Sequence, residues 1–233
     1  MLQEIIDCFN EIKNNDEVRL VVIRGKGNAF SSGADLNWMR NVADYSFQEN
    51  FEESLLVSKC FETIYKCPKP TVAVVHKAAI GGANGFIAPC DIAIATQDTV
   101  FSMSEVKIGI VPACISPYLL KRMGEFYTRE LMLSGKRFSG LEALLYGLVN
   151  HVFSDLNACD EFLKNIIFQF KSSAPNAIGE IKSILASIND NKPKDFFRTI
   201  DFTANKIAEL RSKPEGQEGM SAFLEKRKPE WNE

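Results

Sequence analysis

Histidine is scarce in this chain, with only His76 and His151 among 233 residues. No cysteine or histidine pair has the spacing of a zinc site, so no metal is expected. The six cysteines (Cys8, Cys60, Cys67, Cys90, Cys114 and Cys159) are scattered, mostly among apolar neighbours. A chain of this length builds its core without disulfide staples, so they read as reduced and buried. No apolar run approaches the roughly 20 residues that a membrane span needs. Basic surplus is also missing: 27 Lys and Arg stand against 30 Asp and Glu, a net charge of −3. Without a positive field, neither nucleic acid nor an anionic membrane is expected as a partner. The opening Met1-Leu2-Gln3-Glu4-Ile5-Ile6 has no basic segment leading into an apolar core, unlike a secretory signal. A cytoplasmic location is the expectation.

What is present suits a globular α/β protein, 45% hydrophobic and 24% charged. Leu2, Ile5, Ile6, Phe9 and Ile12 recur at helical spacing, predicting an amphipathic helix over residues 1–14. Strands are predicted at Val18–Ile23, Thr71–Val75, Asp91–Ala95, Val100–Phe101 and Val106–Ile110. A helix is predicted from Phe47 to Tyr65, stopped by Cys67-Pro68-Lys69-Pro70. Strand, turn, helix and strand recur in series through residue 110, which argues for stacked α/β units. From Ser116 on the pattern is nearly all helical. Pro117 suits a first helical position, and Leu148–Phe153 is the one late strand. Later helices are predicted over Leu156–Lys171, Asn176–Ile188, Lys194–Leu210 and Gly216–Lys226. The expected division is a core over residues 1–155 and a helical region over 156–233.

Two glycine-bearing turns carry the candidate chemistry. Ala29-Phe30-Ser31-Ser32-Gly33-Ala34-Asp35-Leu36 precedes a helix that Asp35 can cap near Leu36. Gly81-Gly82-Ala83-Asn84-Gly85 follows a strand, and a helix through Ala88 is expected after it. Such turns can aim unpaired backbone N–H groups at one point. Two convergent donors stabilise the negative oxygen that develops when a thioester carbonyl is enolised. Glu105 supplies a carboxylate further along. Taken alone, such a turn is more often tight packing than a site.

Together the motifs resemble the crotonase (enoyl-CoA hydratase/isomerase) superfamily. The likeness runs through Ala29–Leu36, Lys69-Pro70 to Cys90-Asp91-Ile92, Phe101–Pro112, Leu133-Ser134-Gly135, Gly147-Leu148-Val149 and the last residues. It implies a spiral of repeated β-β-α units followed by a C-terminal helical trimerisation region. Assembly as a homotrimer or dimer of trimers is implied by the resemblance alone. It also implies an acyl-CoA thioester substrate and no cofactor, coenzyme A being part of the substrate. Ala34 and Gly82 take the positions whose N–H groups form the family's oxyanion hole, with the helix after Gly82 directed at the thioester oxygen. Ser32, Asp35, Leu36, Ile80, Gly81, Gly85, Pro112 and Ala113 would line the substrate path, and Glu105 would be catalytic. In the tail, Phe223 and Lys226 would approach CoA, in the family often from a neighbouring subunit.

The departures are informative. The hydratase pattern usually carries two glutamates; the second matches Glu105, and the first falls on Gly85. Glu105 would then move every proton, with the Ala113 N–H able to hold water. A lone carboxylate also suffices for Δ3–Δ2 isomerisation. The segment Ser104–Tyr118 resembles bacterial methylglutaconyl-CoA hydratase-like members, whose substrates bear a distal carboxylate. Tyr118, Lys121 and Arg122 are candidate partners for it, although each also reads as an ordinary packing or surface residue. Cys114 reads as a pocket-lining residue with no histidine to activate it. His76 reads as a hydrogen-bonded structural residue. The strand pair and Asn-Ala loop that open relatives are missing, so Met1 is expected to be internal to a longer frame rather than the start of a shortened variant. The expected activity is hydration of a 2-enoyl-CoA. Isomerisation and acyl-CoA binding without turnover are the alternatives.

Overall fold

The computed structural model describes residues 1–42, 44–190 and 196–232. They form two compact units. The first comprises Met1–Asn15, Val21–Cys67 and Thr71–Leu163, and the second comprises Asp16–Leu20, Pro68–Pro70 and the residues from Lys164 on.

In the first unit the opening helix α1 (Leu2–Ile12) buries Phe9 from its apolar stripe. Strand β1 (Val21–Arg24) leads through the first glycine turn to α2 (Leu36–Val42). Asp35 caps that helix as expected: its Oδ1 accepts from the N–H groups of Asn37 at 2.8 Å and Trp38 at 3.0 Å. Helix α3 (Phe47–Tyr65) starts on a reciprocal Ser46–Glu49 capping box and buries Cys60, Phe61 and Ile64. It ends where the Cys67-Pro68 stop was predicted. Strands β2 (Thr71–Val75) and β3 (Ala78–Ile80) follow, then β4 (Ile92–Thr96) and β5 (Val100–Ser102). Helix α4 (Ser116–Ser134) carries Pro117 in its first turn. The unit closes with β6 (Arg137–Ser139), α5 (Gly140–Leu145), β7 (His151–Phe153) and the start of α6 (Leu156–Ser172).

The strands form a four-stranded parallel sheet ordered β1-β2-β4-β7 and a three-stranded sheet ordered β3-β5-β6. Strands β2 and β4 each enter the larger sheet, and the strands that follow them, β3 and β5, enter the smaller one. The registers Val72 against Ile92 and Ala79 against Phe101 repeat the step. The first glycine turn joins the pattern through a parallel bridge between Ser31 and Ala79. Thus each repeat advances one strand in both sheets, which is the spiral the resemblance implied. All five residues of β2 are buried, as a strand with neighbours on both sides and a covered face requires.

Two expected elements differ. In place of a helix from Gly82 through Ala88 there is a 3-10 turn over Gly81–Gly85 followed by further turns. Glycines weaken a helix, and the N–H groups of Phe86, Ile87 and Cys90 bond three residues back, to Ala83 O, Asn84 O and Ile87 O, with a single four-residue bond from Ala88 to Asn84 O. In place of a strand at Val106–Ile110 there is a 3-10 turn over Glu105–Ile108, closed by Gly109 in the left-handed region at φ 78°. The alternating Val106, Ile108 and Ile110 mimic strand periodicity, yet they stand 40%, 58% and 55% exposed. Strands β3 and β6 and helix α5 are too short to have been read from periodicity.

The second unit holds the end of α6 with α7 (Pro175–Asp190), α8 (Phe196–Ser212) and α9 (Pro214–Glu225). The start of the predicted Lys194–Leu210 helix lies outside the described residues. Arg19 fastens this unit by donating to the carbonyls of Ser173 at 2.7 Å, Trp231 at 3.2 Å and Phe170 at 3.3 Å. Glu215 on α9 accepts from the N–H groups of Asn176 at 3.0 Å and Ala177 at 2.8 Å, satisfying the orphan donors that open α7. No described helix is long and apolar enough to cross a membrane.

Candidate active site

Hydrogen bonding along β3 brings the first glycine turn to the second. The Phe30 N–H donates to His76 O at 3.0 Å, Ser31 N–H to Ala78 O at 3.0 Å, and Ile80 N–H to Ser31 O at 3.2 Å. Beyond this ladder Gly33 turns at φ 115°, and a Cβ placed there would stand 3.8 Å from Ile80 O. Ala34 follows Gly33 where the first turn leaves this ladder, and Gly82 follows Gly81 just past the end of β3. Both residues are exposed. Among the described residues, neither the Ala34 N–H nor the Gly82 N–H finds a hydrogen-bond acceptor. For Gly82 the reason is geometric: it sits in the first turn of a short helix, whose N–H groups have no internal partner.

Glu105 closes the group. Its Oε1 would lie 3.2 Å, and its carboxyl carbon 3.5 Å, from a Cβ built on Gly81. Gly81 also adopts φ 58°, the left-handed backbone that favours glycine, and a Cβ there would crowd the carboxylate. Glu105 Oε2 is buried and finds no hydrogen-bond partner among the described residues. Burial pushes the carboxyl above the usual carboxylate range, and a hydrogen bond from its own backbone N–H opposes this in part. A desolvated carboxylate with one oxygen unpaired is poised to take a proton rather than to anchor structure.

The remaining candidates divide. Ser32 and Asp35 are exposed on the first turn, Asp35 being occupied as the α2 cap; Ile80 and Gly81 are half-buried. Leu36 opens α2, and its side chain lies outside the described residues. Pro112 is buried and Ala113 exposed. The Ala113 N–H donates to Val111 O at 2.8 Å, so the expectation that it holds water is corrected: a tight turn already uses it. Phe223, 83% exposed, and Lys226, the C-cap of α9 at φ 55°, belong to the second unit.

Gly85 is buried, and a Cβ there would stand 2.2 Å from Phe61 Cζ. The phenyl ring of Phe61 fills the direction in which a side chain at 85 would point. It makes edge contacts with Phe86, at 5.2 Å between centroids, and with Tyr118 at 6.4 Å. One wall of the turn is thus aromatic where the two-glutamate pattern has a carboxylate. Sequence reasoning missed Phe61, because nothing in the α3 pattern distinguishes it from an ordinary core residue. It also missed Asn84, whose side chain is wholly buried beneath the turn.

Arg122 is structural. It donates to the carbonyls of Leu148 and Cys90, both at 2.5 Å, and to Asn150 Oδ1 at 2.6 Å. His76 is buried, with Nε2 3.0 Å from Gly27 O. Tyr118 packs against Phe61 and Tyr65, and burial raises its hydroxyl to about 12. Lys121 Nζ lies 5.8 Å from the centre of the Tyr65 ring. Among the described residues no group of three or more His, Cys, Asp or Glu could hold a metal ion.

Comparison with known proteins agrees with the fold. The structure of an enoyl-CoA hydratase from Shewanella pealeana superposes with a TM-score of 0.93 at 37% identity, covering 99% of this chain and 85% of that one. Pseudomonas aeruginosa AtuE gives a TM-score of 0.94 at 31% identity, covering 100% and 89%. The mitochondrial Delta(3,5)-Delta(2,4)-dienoyl-CoA isomerase of Dictyostelium discoideum is 27% identical, over 97% of this chain and 79% of its own length. A family model described as enoyl-CoA hydratase/isomerase matches residues 1–233. With its two-sheet spiral and full-length match, the chain belongs to the enoyl-CoA hydratase/isomerase family and has the crotonase fold.

Proposed function

We propose that this protein hydrates a 2-enoyl-CoA with Glu105 as its only proton carrier. One observation carries the reading: a half-buried carboxylate, its Oε2 buried and unpaired, packs against Gly81, beside a turn whose Gly82 N–H is unused. Glu105 takes a proton from water as the water oxygen bonds to C3. The C2–C3 π electrons move toward the thioester, and the enolate oxygen rests on the N–H groups of Ala34 and Gly82. The protonated Glu105 then returns its proton to C2 on the same face. Water is added across the double bond and the carboxylate is regenerated.

The Ser104–Tyr118 resemblance favours a branched glutaconyl-CoA among such substrates. With Arg122 committed to backbone carbonyls, Lys121 is the better candidate to face a distal carboxylate. A self-assembling protomer is supported by Phe126 at 76% exposure, Leu133 at 70%, Leu141 at 59% and Leu145 at 70%, apolar area that a partner copy would cover. In a trimer, Phe223 and Lys226 would meet the CoA of a neighbouring subunit.

Isomerisation of a 3-enoyl-CoA is the second reading, favoured by the Phe61 ring at the Gly85 wall. There Glu105 removes a proton from C2 and returns it to C4, and no water is needed. Turnover of crotonyl-, 3-methylglutaconyl- and 3-enoyl-CoA, followed by product analysis, separates the two. Hydration of either 2-enoyl ester at a rate above 3-enoyl isomerisation supports the first reading. Isomerisation alone replaces it, and binding without any turnover removes both.

A further inference from the structure

Asn84 is 0% exposed within the Gly81–Gly85 turn, and the chemistry above gives it no task. Its side-chain nitrogen donates to Gly81 O at 2.9 Å, Ser102 O at 3.1 Å and Ala79 O at 3.3 Å. Its Oδ1 is buried and finds no partner among the described residues. A half-satisfied buried amide is unfavourable, and an apolar side chain of that size would avoid the penalty. The donor side of the amide must therefore matter.

The Gly81 carbonyl and the Gly82 N–H belong to one peptide unit. That unit is planar and trans, so its oxygen and its N–H point in opposite directions. Glycine stands on both sides of the bond, the easiest context for the unit to rotate end over end. Asn84 holds the oxygen inward, which aims the N–H outward. There Gly82 is exposed, and a Cβ on it would meet nothing within 4 Å. The bond to Ser102 ties the same turn to the last residue of β5, three residues before Glu105.

We infer that Asn84 is a positioning residue, which clamps the Gly81–Gly82 peptide so that the Gly82 N–H faces the thioester oxygen in register with Glu105. The inference rests on the reading of Gly82 as a donor made under Proposed function. It predicts a defect in stabilising the enolate rather than in holding the ester.

The test compares Asn84→Leu, similar in size without a donor, and Asn84→Ser, which keeps a short hydroxyl. Val72→Ala, a buried change in β2, serves as the control for lost stability. Two quantities are read: kcat and KM on the 2-enoyl-CoA that the wild type turns over, and the carbonyl stretching frequency of a bound, unreactive acyl-CoA thioester. For Asn84→Leu the expected kcat loss is about tenfold to a hundredfold, with KM within about threefold, on the scale of a weakened oxyanion donor. Its bound carbonyl frequency moves back toward that of the free ester. Asn84→Ser falls between this and the wild type, and it carries the test if the leucine variant does not fold. Wild-type kcat and frequency in a folded Asn84 variant would overturn the inference, as would a loss no larger than that of Val72→Ala at equal Tm. A wild type that neither shifts the thioester carbonyl nor turns over any enoyl ester would instead overturn the donor reading itself, and the inference with it.

Discussion

Adding one methyl group at Gly85 tests how the aromatic wall replaces a second carboxylate. In Gly85→Ala the new Cβ would stand 2.2, 2.3 and 2.6 Å from Cζ, Cε2 and Cε1 of Phe61. Carbon atoms in contact prefer about 3.5–4.0 Å, so the ring must retreat by roughly 1 Å or more. Phe61 is 1% exposed, and Phe86 and Tyr118 already meet its ring. Overpacking of this kind costs about 1–3 kcal/mol, here toward the upper end. Alanine recovers at most about 1 kcal/mol by restricting the unfolded backbone. The net loss is about 2 kcal/mol, a fall in Tm of roughly 4–8 °C for a chain of this length. Phe61→Leu deletes all three crowding atoms, at a cost of about 1–2 kcal/mol in lost contacts. In the double variant the alanine should then add almost nothing, a coupling of about 2 kcal/mol. Urea unfolding of the four proteins measures it. An additive cycle, or a Gly85→Ala protein as stable as the wild type, would refute the crowding argument. If it holds, a glutamate at 85 is excluded for as long as Phe61 stays.

Four other outcomes follow from the structure. Because burial raises the Glu105 carboxyl, the acid limb of kcat/KM should lie above the ordinary glutamate value of 4.5. For stability the sign is opposite to that of a salt-bridged carboxylate: a raised folded pKa favours the native state below the ordinary value, and this contribution is lost as pH rises through the folded pKa. Glu105→Gln should therefore raise Tm relative to wild type at neutral pH, with the advantage fading on acidification in a Tm–pH series. Arg122→Ala removes a guanidinium bonded to Leu148 O, Cys90 O and Asn150 Oδ1 and should cost about 3 kcal/mol or more by chemical denaturation, without preference among substrates. Glu215→Ala uncaps α7 and should cost about 1 kcal/mol, seen as faster amide exchange at Asn176 and Ala177.

Elements that carry their own signals were legible in the chain. The bounds of α3 and β2 agree residue for residue with expectation, since a proline stop and a short apolar run rich in β-branched residues are local features. The Asp35 cap and Pro117 are of the same kind. Where the deciding contact is distant, local pattern failed. Val106, Ile108 and Ile110 alternate like a strand, but the chain is turned by Gly109 and stays outside both sheets. Arg122 looks like a surface cation until Cys90 and Leu148 come to meet it. At the candidate site, the two glycine turns and Glu105 were visible, as was the missing glutamate at Gly85. Phe61, the reason no side chain fits there, lies on another helix. Asn84 was in plain view within Gly81–Gly85, but its partners on β3 and β5 are set only by the folded sheet.

The most direct test of the proposed chemistry is Glu105→Gln, assayed with the 2-enoyl-CoA that the wild type hydrates and titrated for ester affinity. If Glu105 alone carries the proton, kcat falls about 10²- to 10⁴-fold while the dissociation constant stays within about threefold. A variant that binds the ester and keeps the wild-type kcat would contradict it.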